Sequence, residues 1–195
     1  MSGYDLGMKI RAATVRDVPG IAGLIEAFAQ RGLMLFRSHA ELYEAIRDFF
    51  VAEEEGGKVV GICALEIVWG DLAEVRSLAV EASQQGKGVG KSLVNAVVEE
   101  ARRLEIQRVF ALTYEQVFFE KLGFGVVDKS ALPLKVWSVC IKCPKRDGCD
   151  EIAMVRTVMD RPPPEAVAEA PADSHAELRY DVPTPLVQIT AKRTT

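Results

Sequence analysis

Residues 73–92 read A-E-V-R-S-L-A-V-E-A-S-Q-Q-G-K-G-V-G-K-S, and the fold is decided there. Ala73 to Val80 is apolar and β-prone enough for a buried strand. Gly86, Gly88 and Gly90 follow in a short loop, and an amphipathic run from Val89 to Leu104 predicts a helix. A strand, a glycine loop and a helix N-terminus make an anion site, because glycines let the backbone approach a phosphate and unpaired N–H groups point at it. Two common phosphate motifs fail by one position. A Walker A loop ending at Gly90-Lys91-Ser92 would need glycine where Gln85 stands, and a dinucleotide fingerprint starting at Gly86 would need glycine where Lys91 stands. The pattern that fits is Q-x-x-G-x-G, at Gln85, Gly88 and Gly90.

Outward from this stretch, the pattern alternates strands and helices. Lys9 to Ala13 predicts a short strand, and Thr14 caps a helix that runs to about Gln30, with Asp17 facing its N-terminal dipole. Ser38-x-x-Glu41 is a capping box that opens a second helix, E-L-Y-E-A-I-R-D-F-F. The span between them, R-G-L-M-L-F-R, is apolar without clear periodicity and reads equally as a pocket cover or a core connection. Phe50 to Glu54, Lys58 to Trp69 and the Glu74 strand form an antiparallel meander joined by short turns. Arg108 to Thr113 is a fifth strand, reached through a helix and therefore parallel to the fourth. A short helix over Val117 to Leu122 ends at Gly123, and strands at Phe124 to Val127 and Glu151 to Val158 complete the pattern.

The 195 residues hold one domain and a tail, and 49% hydrophobic content permits a core. From Met159 the composition shifts: six of the nine prolines lie in 162–185, which reads as a linker or disordered tail over 159–195. The patch L-V-Q-I-T at 186–190 adds nothing decisive. A net charge of −4 gives no reason to expect nucleic acid or a membrane surface. No signal peptide is visible in residues 1–8, an N-terminal extension, and the chain reads as cytoplasmic. Its four cysteines, Cys63, Cys140, Cys143 and Cys149, then read as thiols. Cys140, Cys143 and Cys149 lack the fourth ligand zinc normally takes, so no metal is expected.

The V-R-S-L-A-V strand, the Q-x-x-G-x-G loop, the order β-α-α-β-β-β-α-β-α-β-β and F-F-E-K-L-G-F at 118–124 together resemble the GNAT acetyltransferases over about residues 9–158. The resemblance implies an α/β GNAT fold: a mixed, mostly antiparallel sheet with a parallel pair formed by the fourth and fifth strands, flanked by helices. L-Y-E-A-I at 42–46, Trp69 ahead of G-D-L-A-E-V-R-S-L-A-V, F-A-L-T and the ending from Leu132 to Val155 look like the short bacterial N-acetylglutamate synthases. That implies acetyl-CoA as cosubstrate and a small amine, L-glutamate, as acceptor, in the first step of arginine biosynthesis. It leaves room for a homodimer. Two alternatives stay open: another small amine, or a module that binds acyl-CoA without turnover.

The chemistry needs a base, because an amine is mostly protonated at neutral pH and must lose a proton to attack a thioester. Glu74, at the head of the strand leading into the glycine loop, matches the family's glutamate base. By the same resemblance a bulge in the fourth strand frees a backbone N–H in Leu78, Ala79 or Val80 for the oxyanion, and that segment holds the pantetheine arm. The pyrophosphate would rest on Gln85, Gly86, Lys87, Gly88, Val89, Gly90 and Lys91, with Phe118 and Phe119 completing the cofactor site. Many GNAT enzymes carry a tyrosine at the position of Phe119 to protonate the departing thiolate, so Thr113 and Tyr114 are the nearest hydroxyls for that role. For the carboxylates of the acceptor, Arg76 stands first, two residues from Glu74 on the same strand face, ahead of Arg11, Arg37 and Lys135.

Overall fold

The computed structural model describes residues 8–133 and 148–160. Its elements are β1 (Met8–Ala12), α1 (Val18–Ala29), α2 (His39–Glu44), β2 (Phe49–Glu54), β3 (Val59–Trp69), β4 (Leu72–Val80), α3 (Val89–Arg103), β5 (Arg108–Thr113), α4 (Gln116–Glu120), β6 (Gly125–Val126) and β7 (Ile152–Thr157). The strands form one seven-stranded sheet in the order β1-β2-β3-β4-β5-β7-β6. Every neighbouring pair is antiparallel except β4 and β5. This is the mixed α/β architecture expected from the sequence.

Alternation along the strands sorts side chains onto two faces. One face carries Cys63, Leu65, Ala73, Val75, Val109 and Ala111 and packs against Leu93, Val94, Val97, Val98 and Ala101 of α3. On the other, Phe49, Val51, Ile62, Ala64 and Ala79 meet Val18, Ile21 and Ile25 of α1 and Leu42 of α2. Further along the same face Val68, Leu72, Phe110, Leu132 and Ala153 form a third cluster. A gap between these last two clusters falls on the face of β4 that carries Glu74 and Arg76.

The second helix is shorter than its capping box and periodicity predict. It stops at Glu44, a 3-10 turn spans Ile46–Asp48, and Phe49 and Phe50 enter β2. The capping box is present, with Ser38 Oγ accepting from the Glu41 N–H at 3.3 Å and Glu41 Oε2 accepting from the Ser38 N–H at 2.7 Å. Burial overrides propensity at the other end: Phe49 is 0% exposed and pairs with Ala64 across the sheet. At the first helix, Asp17 Oδ2 accepts from the Thr14 N–H at 2.7 Å, within a 3-10 turn that precedes α1. The strand predicted at Phe124 to Val127 contracts to two residues. Met159 donates its N–H to Gln107 at 3.3 Å, and residues 161–195, where the Pro-rich tail is expected, lie outside the described residues.

Candidate active site

The parallel pair is short. β4 meets β5 only from Leu72 to Glu74, opposite Arg108 to Phe110. Beyond Glu74 the two strands part, β5 staying with β7 as far as Thr113 and β4 staying with β3 as far as Val80. From Val75 onward the β5-facing edge of β4 therefore has no strand partner among the described residues, and its outward N–H and C=O groups are open to an extended ligand. Over the same stretch a bulge interrupts the pairing of β4 with β3. Ala64 pairs with Arg76 and Ile62 with Ala79, so Ser77 and Leu78 stand opposite the single residue Cys63. Ser77 takes a left-handed conformation, φ 53°. A non-glycine residue there costs about 1–2 kcal/mol, and such strain collects where a backbone group must be aimed.

The chain then turns into α3 through a loop braced by its own glutamine. Gln85 donates its side-chain Nε2 to the Val80 carbonyl at 2.9 Å, tying the loop to the end of β4. Gly86 and Gly88 have φ of 75° and 87°, and Gly88 is the N-cap of α3. The helical ladder begins where the Ser92 N–H donates to the Gly88 carbonyl at 3.0 Å. The N–H groups of Val89, Gly90 and Lys91 precede it and belong to the unpaired first turn that suits an anion. Gly90 serves packing: a Cβ there would lie 3.5 Å from Phe118 Cζ, so the α4 ring rests on the start of α3. Lys87 and Lys91 are exposed, and Lys87 Nζ donates to Gln84 Oε1 at 3.1 Å.

Glu74 sits where the strands part, with its side chain 16% exposed. Burial is the main force on its carboxyl, pushing its pKa up to about 7, with Arg76 and Arg37 opposing and Glu66 and Glu151 adding to the rise. Glu66 is its direct cross-strand partner on β3. Arg76 Nη1 donates to Glu66 Oε2 and stands 3.9 Å from Glu74 Oε2. Arg37, just before α2, lies over the Phe49 ring with its guanidinium carbon 5.6 Å from the centroid. Burial, with the charge of Arg76 behind it, lowers the Arg37 pKa, and burial with the charge of Glu66 behind it raises that of Asp48. The structure thus gathers Arg37, Asp48, Glu66, Glu74, Arg76 and Glu151 into one electrostatically coupled group.

The basic candidates sit in different surroundings. Arg76, first choice from strand alternation, is already engaged by Glu66 and lies within ion-pair distance of Glu74. Arg11 donates to both Asp17 oxygens at 2.7 and 2.8 Å and to Glu53 Oε2 at 2.5 Å, a pairing that holds β1, β2 and the start of α1 together. Its own hydrogen bond is the main reason the Asp17 carboxyl is held down at about 2. Lys135 lies outside the described residues. Arg37, ranked low from sequence, has no ion pair within 4.0 Å among the described residues.

The aromatic and hydroxyl candidates also separate. Phe119 is 3% exposed and stacks edge-on against Phe118 and Phe124, at centroid distances of 5.2 and 5.1 Å. It is a core residue, and its burial leaves little ring surface for the cofactor contact expected of it. Thr113 shares a strand face with Val109 and Ala111, opposite to that of Glu74, and its Oγ1 accepts from the Glu115 N–H at 2.9 Å. That bond shapes the turn into α4. Tyr114, half-buried just beyond the end of β5, is the other hydroxyl.

Cys63 is buried in the α3-side core, and burial pushes its thiol up. Cys149 accepts from Lys129 Nζ at 3.6 Å, while Cys140 and Cys143 lie outside the described residues. Among the described residues no three His, Cys, Asp or Glu side chains are grouped to hold a metal, and no helix is long and apolar enough to cross a membrane. A surface cavity of about 420 Å³ lies between α1 and the β2–β3 turn, lined by residues such as Arg16, Gly23, Lys58 and Glu81, and includes none of the coupled group. Sequence reading missed Glu66, Asp48 and Glu151. Only Glu66 carried a signal, as the one charge inside the apolar run V-V-G-I-C-A-L-E-I-V-W.

Residues 45–126 match the acetyltransferase (GNAT) domain family. An uncharacterized N-acetyltransferase of Chlorobaculum tepidum is 41% identical over 149 residues, 76% of this chain and 96% of the relative. The amino-acid acetyltransferase of Mycobacterium tuberculosis is 38% identical over 130 residues, 66% of this chain and 74% of the relative. The N-acetylglutamate synthase of Neisseria gonorrhoeae, crystallised with coenzyme A and N-acetyl-glutamate, superposes with a TM-score of 0.72 at 28% identity. The match covers 82% of this chain and 36% of that longer one. With the open fourth strand, the bulge and the glycine-capped helix in place, these likenesses identify the chain as a member of the GNAT family of N-acetyltransferases.

Proposed function

We propose that the protein transfers the acetyl group of acetyl-CoA to the α-amine of L-glutamate, giving N-acetylglutamate and CoA, as the first step of arginine biosynthesis. The observation that carries this reading is Glu74, a buried carboxylate with a pKa near 7 at the point where β4 leaves β5. A base titrating near the working pH accepts a proton readily and is still ionised often enough to do so. Support for glutamate comes from the Neisseria gonorrhoeae enzyme, whose crystals hold N-acetyl-glutamate, and from the relative named amino-acid acetyltransferase.

The residues divide the work as follows. The N–H groups of Val89, Gly90 and Lys91 take the pyrophosphate, and the free edge of β4 pairs with the pantetheine arm. Glu74 draws a proton from the substrate ammonium, directly or through one water. As the nitrogen bonds to the thioester carbon, a backbone N–H of the bulged Leu78–Val80 segment donates to the oxygen that gains charge. When the C–S bond breaks, the nitrogen releases its second proton to water to leave the neutral amide, and the departing sulfur takes a proton from water or from the Tyr114 hydroxyl, which water then reprotonates. Arg37 receives a substrate carboxylate, supported by its half-buried position over Phe49 and its lack of an ion pair among the described residues.

The acidic surplus favours a second reading. Asp48, Glu66, Glu74 and Glu151 outnumber Arg37 and Arg76, which would suit a basic amine. Thiol release from acetyl-CoA against L-glutamate, L-glutamine, L-aspartate and spermidine decides between them. The highest kcat/KM is expected with L-glutamate, and a preference for spermidine would replace this reading by the second.

The cofactor half is tested at Gly88. Its φ of 87° disfavours any side chain, yet an added Cβ would meet no atom within 4 Å. Gly88→Val is expected to fold with a small loss of melting temperature and to raise the Kd for CoA about tenfold, the strain of about 1–2 kcal/mol falling on the phosphate cradle. Calorimetry showing unchanged affinity would place the pyrophosphate elsewhere.

A further inference from the structure

Glu66 and Glu74 face each other across β3 and β4, and Arg76 lies on the same face two residues beyond Glu74. One guanidinium therefore serves two carboxylates, and the sharing is unequal. Arg76 bonds to Glu66 and stands 3.9 Å from Glu74. The more exposed carboxylate, Glu66 at 35%, holds the cation, and the more buried one, Glu74 at 16%, has only the longer contact. A guanidinium bonded bidentately to Glu74 would stabilise its anion and spoil it as a base at neutral pH.

We propose that Glu66 is a positioning residue that holds Arg76 across the strand pair and so keeps it from neutralising Glu74. This rests on the reading of Glu74 as the base. The other charged groups around Glu74 do not supply the same restraint. Glu151, just before β7, adds negative charge, and Arg37, before α2, adds positive charge. Asp48, in the turn before β2, interacts with Arg76 and Arg37 through space. Glu66 accepts the hydrogen bond from Arg76 Nη1 and so holds the guanidinium on the β3 side. Its loss acts twice in one direction: the negative charge opposite Glu74 disappears, and Arg76 is released toward Glu74.

The test titrates the Glu74 carboxyl by NMR in protein carrying 13C-labelled glutamate, assigned through the Glu74→Gln variant. In Glu66→Gln the Glu74 midpoint is expected to fall by about one pH unit or more, the size of shift an arginine contact produces. In Glu66→Asp, which keeps the charge and shortens the side chain, it should stay closer to the wild-type value. The acid limb of kcat/KM for L-glutamate should move with the midpoint, whereas a role confined to holding β3 against β4 would alter the melting temperature and leave the titration in place. An unmoved or raised midpoint in folded Glu66→Gln protein overturns the proposal. If the midpoint falls while wild-type protein releases no CoA with L-glutamate, the positioning role stands and the substrate reading alone fails.

Discussion

Replacing Glu74 with glutamine is expected to lower kcat for acetylation of L-glutamate by ~10²–10⁴, the usual cost of removing a general base. The residual rate should climb with pH, because more of the amine then arrives unprotonated, and CoA affinity should hardly change, because backbone groups far along β4 and α3 hold it. A variant with normal kcat and an altered KM would show that Glu74 only repels or orients the substrate. The same substitution should stabilise the protein in alkali. In the unfolded chain the carboxyl ionises above its ordinary value of 4.5, whereas the folded protein keeps the proton up to about 7. The contribution of this group to stability is therefore full below the unfolded value and is lost as pH rises through the folded one, a cost on the order of 3 kcal/mol. Glu74→Gln should then melt above wild type at pH 8, with the difference shrinking toward pH 5. An equal difference at both pH values would contradict a buried, proton-holding carboxyl.

The second large effect is expected at Arg37. Arg37→Leu removes a half-buried cation and should raise the KM for L-glutamate roughly 10- to 100-fold, the value of a hydrogen bond between charged groups. The Kd for CoA should stay as it was. Arg37→Lys should recover little, because an ammonium has neither the planar fork that matches a carboxylate nor the flat face that rests on Phe49. Wild-type KM in Arg37→Leu would move the carboxylate site to another cation, such as Lys135.

The stretch from Ala73 to Ser92 made the scaffold legible because three independent signals coincide in it: β-prone apolar residues, closely spaced glycines and an amphipathic run. Each is local, and each survives folding as strand, loop and helix. The end of the second helix was not legible: Phe50 reads as the start of the next strand, but the periodicity of E-L-Y-E-A-I-R-D-F-F does not show that the helix stops at Glu44 or that Phe49 already belongs to the sheet. Glu74 could be singled out as the candidate base from its place on β4 and from the family resemblance. Its electrical surroundings could not, since Glu66 meets Glu74 through the β3–β4 register, Glu151 acts on it from just before β7, and Asp48 acts on Glu66, Arg37 and Arg76 from the turn before β2. The same limit explains why Arg76 ranked above Arg37. Alternation places Arg76 beside Glu74, but it says nothing of the carboxylate on the neighbouring strand that already holds it.

The most direct measurement is a crystal structure with CoA and N-acetyl-L-glutamate bound together. The account predicts the pyrophosphate within hydrogen-bond distance of the N–H groups of Val89, Gly90 and Lys91, the pantetheine arm along the free edge of β4, and the acetylated nitrogen within reach of the Glu74 carboxylate, directly or through one water, with a product carboxylate on Arg37. A nitrogen turned away from Glu74, or a CoA site empty of product at saturating N-acetyl-L-glutamate, would contradict it.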